Sequence, residues 1–277
     1  MVKRLISALF GIPLYIGVCL WGKIPFAIGI TIVALLGLIE LLKTYWKQGI
    51  RPSLILAFLG LTFPAWHFLI LFLPLKPLVI MILTMAMFAV GWEVIHASVT
   101  GEMKAGRNIG YGMLSGSYIA LFGGLTSLRS YTNLSQSQTL HSLQVGAAYT
   151  ILVALCIWAT DSFAMFVGAW IGKTKLAPNL SPQKTVEGAF GGLIASVIVG
   201  LGFGAWLLGS PTWGAVIGVI AGVFGPIGDL FESALKREVG VKDFGNVMPG
   251  HGGVLDRFDS LIFAAGVLSL ILYLWVK

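Results

Sequence analysis

A chain that is 57% hydrophobic and only 10% charged concentrates its ionisable chemistry in one run, SALKREVGVKDFGNVMPGHGGVLDRFD, from Ser233 to Asp259. Lys236, Arg237, Lys242, Asp243, His251, Asp256, Arg257 and Asp259 all fall in it, and Pro249, Gly250, Gly252 and Gly253 impose a turn between two apolar segments. If the upstream segment stays helical through Asp229, then Asp229, Glu232, Ser233 and Lys236 stand at i, i+3, i+4 and i+7, on one face. Beyond the turn, Asp256, Asp259 and Ser260 repeat the i, i+3, i+4 pattern. Carboxylates so spaced suit a hard cation such as magnesium, which takes oxygen ligands and keeps waters and substrate phosphates in its shell. The lysines and arginines suit phosphate oxygens. His251 reads as a donor to phosphate or to a neighbouring carboxylate, since no second His or Cys lies nearby to make a metal set.

A second constellation joins Asp161 to the stretch from Lys173 to Glu187. Asp161 sits inside an apolar segment, where an unpaired carboxylate is costly and marks function, a lysine partner or a broken helix. The loop KTKLAPNLSPQKTVEG combines Lys173, Lys175 and Lys184 with Ser181, Thr185 and the helix-breaking Pro178 and Pro182. Ser181 or Thr185 is placed to cap the next helix, with Glu187 in its first turn, so that backbone amides face an anion. On its own the loop reads equally well as a basic juxtamembrane segment against lipid headgroups.

These residues must be held by the apolar remainder. The 277 residues carry far more apolar surface than one soluble core can hide, so the class is an all-α, polytopic integral membrane protein. Apolar windows predict about nine transmembrane helices, at residues 5–21, 24–42, 53–73, 77–95, 109–128, 145–168, 188–208, 211–230 and 254–276. Pro64 and Asp161 interrupt the third and the sixth. The run after Lys3 and Arg4 superficially matches a signal peptide, but no small-x-small site closes it, and it reads as a retained first helix. Cys19 and Cys156 lie in apolar runs with no disulfide or metal spacing and read as packing residues. With no repeat and no soluble linker, residues 1–277 form one membrane domain, 1–144 as scaffold and 145–277 as the catalytic half.

Lys and Arg fall mostly in the loops on one side if the amino terminus is cytoplasmic; only Lys23, Lys76, Arg129 and Lys277 fall on the other. Every Asp and Glu then lies at the cytoplasmic side, which the charge rule did not use. An active face on the cytoplasm of a bacterial inner membrane is the expectation. The net charge of +7 is this topology signal plus phosphate-facing residues. Nucleic acid is a poor partner, because the basic residues form no soluble patch with interleaved aromatics. His67 and His96 read as packing or interface residues, and Glu40 and Glu93 as span-end neighbours of Lys43 and Lys47 or a rim of the cavity.

The 233–259 run resembles the signature of the phosphatidate cytidylyltransferases, or CDP-diacylglycerol synthases, S-x-x-K-R-x4-K-D-x-G-x3-P-G-H-G-G-x-x-D-R-x-D. It stands here as Ser233, Lys236, Arg237, Lys242, Asp243, Gly245, Pro249, Gly250, His251, Gly252, Gly253, Asp256, Arg257 and Asp259. The stretch from Ser181 to Gly188 is similar to the family's S-P-K-K-T-W-E-G loop, with Gln183 and Val186 as departures that put contacts at those two positions in doubt. The resemblance implies a magnesium-dependent reaction, with one or two cations, of CTP with phosphatidic acid to give CDP-diacylglycerol and pyrophosphate. It implies Asp229 and Asp256 as metal ligands, with Asp161, Asp243 and Asp259 as further ligands or their support. Lys236, Arg237, Lys242 and Arg257 would hold phosphates, and Ser181, Lys184, Thr185 and Glu187 the nucleotide. An ether-linked isoprenoid lipid acid would suit the same headgroup residues. An ion-coupled transporter is the alternative of another class, and acids confined to one side count against it. Gly188, Gly191 and Gly192 permit close helix contacts within or between subunits, which leaves a homodimer open.

Overall fold

The computed structural model describes residues 2–69, 75–100, 104–131, 144–245 and 252–275. Eleven helices follow in chain order: α1 (Val2–Trp21), α2 (Lys23–Lys47), α3 (Leu54–Leu59), α4 (Trp66–Leu69), α5 (Leu75–Thr100), α6 (Ala105–Ala120), α7 (Phe122–Ser130), α8 (Val145–Ile171), α9 (Val186–Leu208), α10 (Pro211–Glu238) and α11 (Leu255–Trp275). Five of them, α2, α8, α9, α10 and α11, are long and apolar enough to cross a membrane, while α1 and α5 contribute the shorter apolar stretches Gly11–Trp21 and Ile82–His96. The chain is therefore a mainly helical membrane protein.

Two expectations need correction. The span expected at 53–73 is no continuous helix among the described residues: α3 gives way to a 3₁₀ turn at Gly60–Thr62, with Pro64 and then the short α4 beyond it. The span expected at 109–128 is divided at Leu121 into α6 and α7. Within this all-α architecture the loop before α9 folds as a short hairpin, where β1 (Lys175–Ala177) pairs antiparallel with β2 (Ser181–Thr185) in the register Lys175↔Thr185 and Ala177↔Ser181.

Local rules explain the ends of the long helices. The hydroxyl of Ser210 accepts from the Trp213 N–H at 3.3 Å, and Pro211, with its fixed φ and no N–H to lose, begins α10. The helix passes through Pro226 and closes with Lys236 and Arg237 beside its orphan carbonyls. Gly209, at φ 65°, ends α9 in the left-handed region.

The core joins both halves of the chain. Leu38, Leu41, Ile119, Phe122, Leu152, Ile220, Ile262 and Leu268 are buried together, from α2, α6, α7, α8, α10 and α11. Outward from it, Phe163, Phe166, Trp170, Ile194, Ile198 and Leu274 remain exposed, the surface that hydrocarbon chains rather than water would cover. The helix ends segregate by charge. At one end meet the C-terminal ends of α2, α8 and α10 and the N-terminal ends of α9 and α11, joined by Thr44 to the Phe244 carbonyl at 2.7 Å and by Lys184 to Asp229 at 2.5 Å. At the other, Arg129 is 1% exposed and donates from Nε to the Cys19 carbonyl at 2.6 Å and from Nη1 to the Gln144 amide oxygen at 2.9 Å, tying α1 and α7 to the start of α8.

Candidate active site

The i, i+3, i+4, i+7 face of α10 forms as the spacing predicts. Ser233 Oγ lies 3.4 Å from Asp229 Oδ1, and Lys236 Nζ donates to Glu232 Oε2 at 2.9 Å. The same ammonium reaches across to Asp256 Oδ1 at 2.5 Å, so one lysine bridges α10 and α11. The other oxygen of Asp256 accepts from the Gly253 N–H at 2.6 Å, which fixes the carboxylate at the entrance of α11. Asp259 is only 8% exposed and accepts from the Ser260 N–H at 2.6 Å. Its charge and that of Glu232 act on each other, and Glu232 is 1% exposed. Lys236, itself buried, is the cation that balances this inner group of acids.

An outer group lies beside it. Lys184, from the second strand of the hairpin, pairs with Asp229, and Asp161 of α8 feels the Asp229 carboxylate together with the Lys184 and Arg257 cations. The Asp161 side chain is accessible to solvent. Asp161, Asp229, Lys184 and Arg257 thus come from four different elements into one polar opening.

Thr185 caps α9 and Glu187 lies in its first turn, as the loop reading expects, and both are engaged with backbone groups. Thr185 points inward: its hydroxyl accepts from the Gly188 N–H at 3.1 Å as the N-cap of α9, and its side chain packs on Gly168 and Gly172. Glu187 accepts from the backbone N–H groups of Lys173 and Thr174, each at 3.1 Å, and so holds the base of the hairpin. Ser181 is half-buried opposite Ala177 in the hairpin. Arg237 is exposed and donates to the Val241 carbonyl at 3.0 Å, which closes the turn after α10. Lys242 and Asp243 are exposed in the following bend, and Asp243 makes no hydrogen bond or ion pair to the cluster among the described residues. His251, Pro249 and Gly250 lie outside the described residues.

The Thr185 cap gives a direct expectation. Thr185→Ala should lower stability by about 1 kcal/mol, the usual worth of such a cap, whereas Thr185→Ser should keep it. Thermal melting of purified protein compares the two, and equal melting of alanine and wild type would mean that the cap contributes nothing.

Two acids were undervalued by sequence. Glu40 of α2 is 5% exposed and accepts from the Val254 N–H at 2.7 Å and the Leu255 N–H at 3.4 Å. Glu232 carries no place in the signature yet shares Lys236 with Asp256. An apolar groove of about 590 Å³ runs between α8 and α9, lined by Phe163, Val167, Ile171, Phe190 and Ile194 with Glu187 at one end; its lining includes neither Asp161 nor Asp229.

The acids offer oxygen ligands only, as a hard cation requires. Among the described residues no three carboxylate, His or Cys groups are assembled as a ready metal cage. Asp229, Asp161 and Asp256 thus offer donors of the right kind without a complete shell, as suits an ion that also takes phosphate oxygens.

Comparison with known proteins adds an independent line. The model of the cytidylyltransferase family matches residues 2–275. The chain is 35% identical to a phosphatidate cytidylyltransferase of Synechocystis over 278 residues, covering 95% of this chain and 93% of the relative. It is 34% identical to the phosphatidate cytidylyltransferase of Bacillus subtilis over 284 residues, with 99% and 98% covered, and 31% identical to that of Staphylococcus aureus over 283, with 98% and 99% covered. A match that runs the length of the chain, through both the hairpin and the inner acids, leaves one conclusion: the chain belongs to the cytidylyltransferase family.

Proposed function

We propose that this protein transfers the cytidylyl group of CTP to phosphatidic acid, releasing pyrophosphate and forming CDP-diacylglycerol for phospholipid synthesis. The observation that carries the reading is the polar opening itself, in which Asp161 and Asp229 stand with Lys184 and Arg257 while Lys236 secures Asp256, in a chain matched along its length by the cytidylyltransferase model.

The reaction needs no base. A lipid phosphate oxygen is ionised near neutral pH; it forms a bond to the α-phosphorus of CTP as the α–β anhydride bond breaks, and pyrophosphate leaves with the electron pair. The difficulty is the meeting of two polyanions. Lys184 and Arg257 are placed to draw phosphate oxygens into the opening and to lower that repulsion. Lys184 exchanges its present partner Asp229 for phosphate as the nucleotide enters. Asp229, Asp161 and Asp256 would hold magnesium, which when bound would neutralise phosphate charge and align the attacking and leaving oxygens. Asp259 and Glu232 keep Lys236, and through it Asp256, in position, and Thr185 and Glu187 hold the hairpin that presents Lys184. Lys242, Asp243 and His251 remain candidates for contacts made once substrates are bound.

The setting completes the reading. We place the amino terminus and the polar opening on the cytoplasmic side of a bacterial inner membrane, the side on which Lys and Arg concentrate. The lipid enters sideways from that leaflet, so its acyl chains stay in the bilayer. A homodimer is compatible with the exposed apolar faces of α8 and α9.

The test is pyrophosphate release from CTP by purified protein in detergent, with and without phosphatidic acid and magnesium, for wild type and Asp256→Asn. We expect release that requires both additions and falls by roughly 100-fold or more in the variant. Folded wild type that releases no pyrophosphate with phosphatidic acid would sink the proposal for that lipid.

A further inference from the structure

Glu40 stands in the half of the chain that sequence assigns to scaffold, near the cytoplasmic end of α2, yet its carboxylate is buried 214 positions away from its partners in sequence. Oε2 accepts the Val254 N–H at 2.7 Å and the Leu255 N–H at 3.4 Å, the unpaired donors at the start of α11. An acid at that place does what an N-cap does, but it is delivered from another helix. Oε1 has no hydrogen-bond partner among the described residues.

The surroundings are built around this carboxylate. A Cβ at Gly245 would come within 2.6 Å of Oε1, and one at Gly253 within 2.6 Å of Oε2, so two glycines of the signature leave room for Glu40 rather than for a substrate. One turn on, Thr44 donates to the Phe244 carbonyl at 2.7 Å, so α2 grips the segment on both sides of its approach to α11. The atoms it fixes adjoin the site directly, because the Gly253 N–H, next to the Val254 N–H that Glu40 holds, is the donor to Asp256 Oδ2 at 2.6 Å.

We propose that Glu40 is a positioning residue for the cytidylyl transfer: by capping the first turn of α11 from α2 it sets the Asp256 carboxylate against Lys236. The proposal rests on the reading of this site as the cytidylyl-transfer site. It also moves the border of the functional unit, since α2 belongs to the active centre as much as α10 and α11.

Glu40→Ala and Glu40→Gln test it, with hydrogen exchange over residues 252–260 and steady-state kinetics as separate readouts. Alanine removes the acceptor, so exchange in that segment should quicken and kcat should fall by about 10- to 100-fold, the usual cost of losing an outer support of an active group, while KM for CTP stays within about threefold. Glutamine keeps an acceptor oxygen and should restore both exchange and most of kcat. Unchanged exchange in the alanine variant would overturn the proposal, as would a rise in KM alone, or a glutamine variant as impaired as alanine, which would make the charge and not the cap decisive. Wild type inactive toward phosphatidic acid would defeat the reading of the reaction, and the exchange comparison would still decide whether Glu40 holds α11.

Discussion

Replacing Lys236 with methionine is expected to lower the melting temperature sharply and to abolish cytidylyl transfer. The ammonium is buried and contacts Glu232 at 2.9 Å and Asp256 at 2.5 Å, with Asp259 close behind. Methionine has similar length and fills the space, so the loss is one of charge rather than volume. It strands carboxylates in a low-dielectric setting, and breaking a buried pair from one side costs about 3–5 kcal/mol. A second substitution separates the stability effect from the chemical one. Lys236→Met with Glu232→Gln removes a charge from each side, so it should regain part of the lost stability but none of the activity, because Asp256 still lacks its anchor. Melting curves and pyrophosphate release on the three proteins check this. A single variant that melts with wild type would mean that Lys236 does not carry the inner acids.

Gly192→Val is expected to cause the largest loss of folded protein without touching a charged group. Gly192 of α9 faces α8 so closely that a Cβ there would lie 2.7 Å from the Thr160 carbonyl and 3.1 Å from the Ala164 Cβ. Backbone cannot retreat as the end of a flexible side chain can. Close approach of this kind lets two helices pack in hydrocarbon, where no hydrophobic drive brings them together. Forcing them apart should cost about 3 kcal/mol, at the upper end of overpacking effects. Thr160 precedes Asp161, so what remains folded should also be less active. Gly202, whose added Cβ would meet nothing within 4 Å, supplies the comparison: Gly202→Ala should leave the yield of monodisperse protein unchanged. Equal yields for the two variants would show that the α8–α9 contact is loose.

The long helices were legible because their apolar runs are uninterrupted and their ends carry strong local signals. Ser210 with Pro211 marks the start of α10, and its polar spacing from Asp229 to Lys236 predicts a face that forms as drawn. The divided helices were not legible, because α6 and α7 remain apolar across Leu121 and hydropathy does not report a change of direction. The hairpin was hidden for a different reason. Strands of three and five residues, with Pro182 in one, show no alternation to read.

Among site residues, spacing along one helix found Asp229, Glu232 and Lys236 on one face, but it did not show that the Lys236 ammonium joins Glu232 to Asp256 of another helix. Thr185 was legible as a cap of the next helix, whereas the backbone donors that Glu187 satisfies become visible only when the loop folds. Glu40 was the hardest to see. Its partners are amide groups in another part of the chain, and an amide leaves no mark in the sequence.

The uneven distribution of polar groups along the bundle has an electrical consequence. Asp161 is the single acid of α8, and from Val145 to Thr160 the helix carries no Asp, Glu, Lys or Arg over about 24 Å at 1.5 Å per residue. Hydrocarbon is about 30 Å thick, so most of the membrane's voltage drops across that insulating length. Arg129, closed off by Cys19 and Gln144 at the opposite end, offers protons no stepping stone toward Asp161. Such a bundle can gather multiply charged phosphates at one surface while leaving the ion gradients of its membrane undischarged.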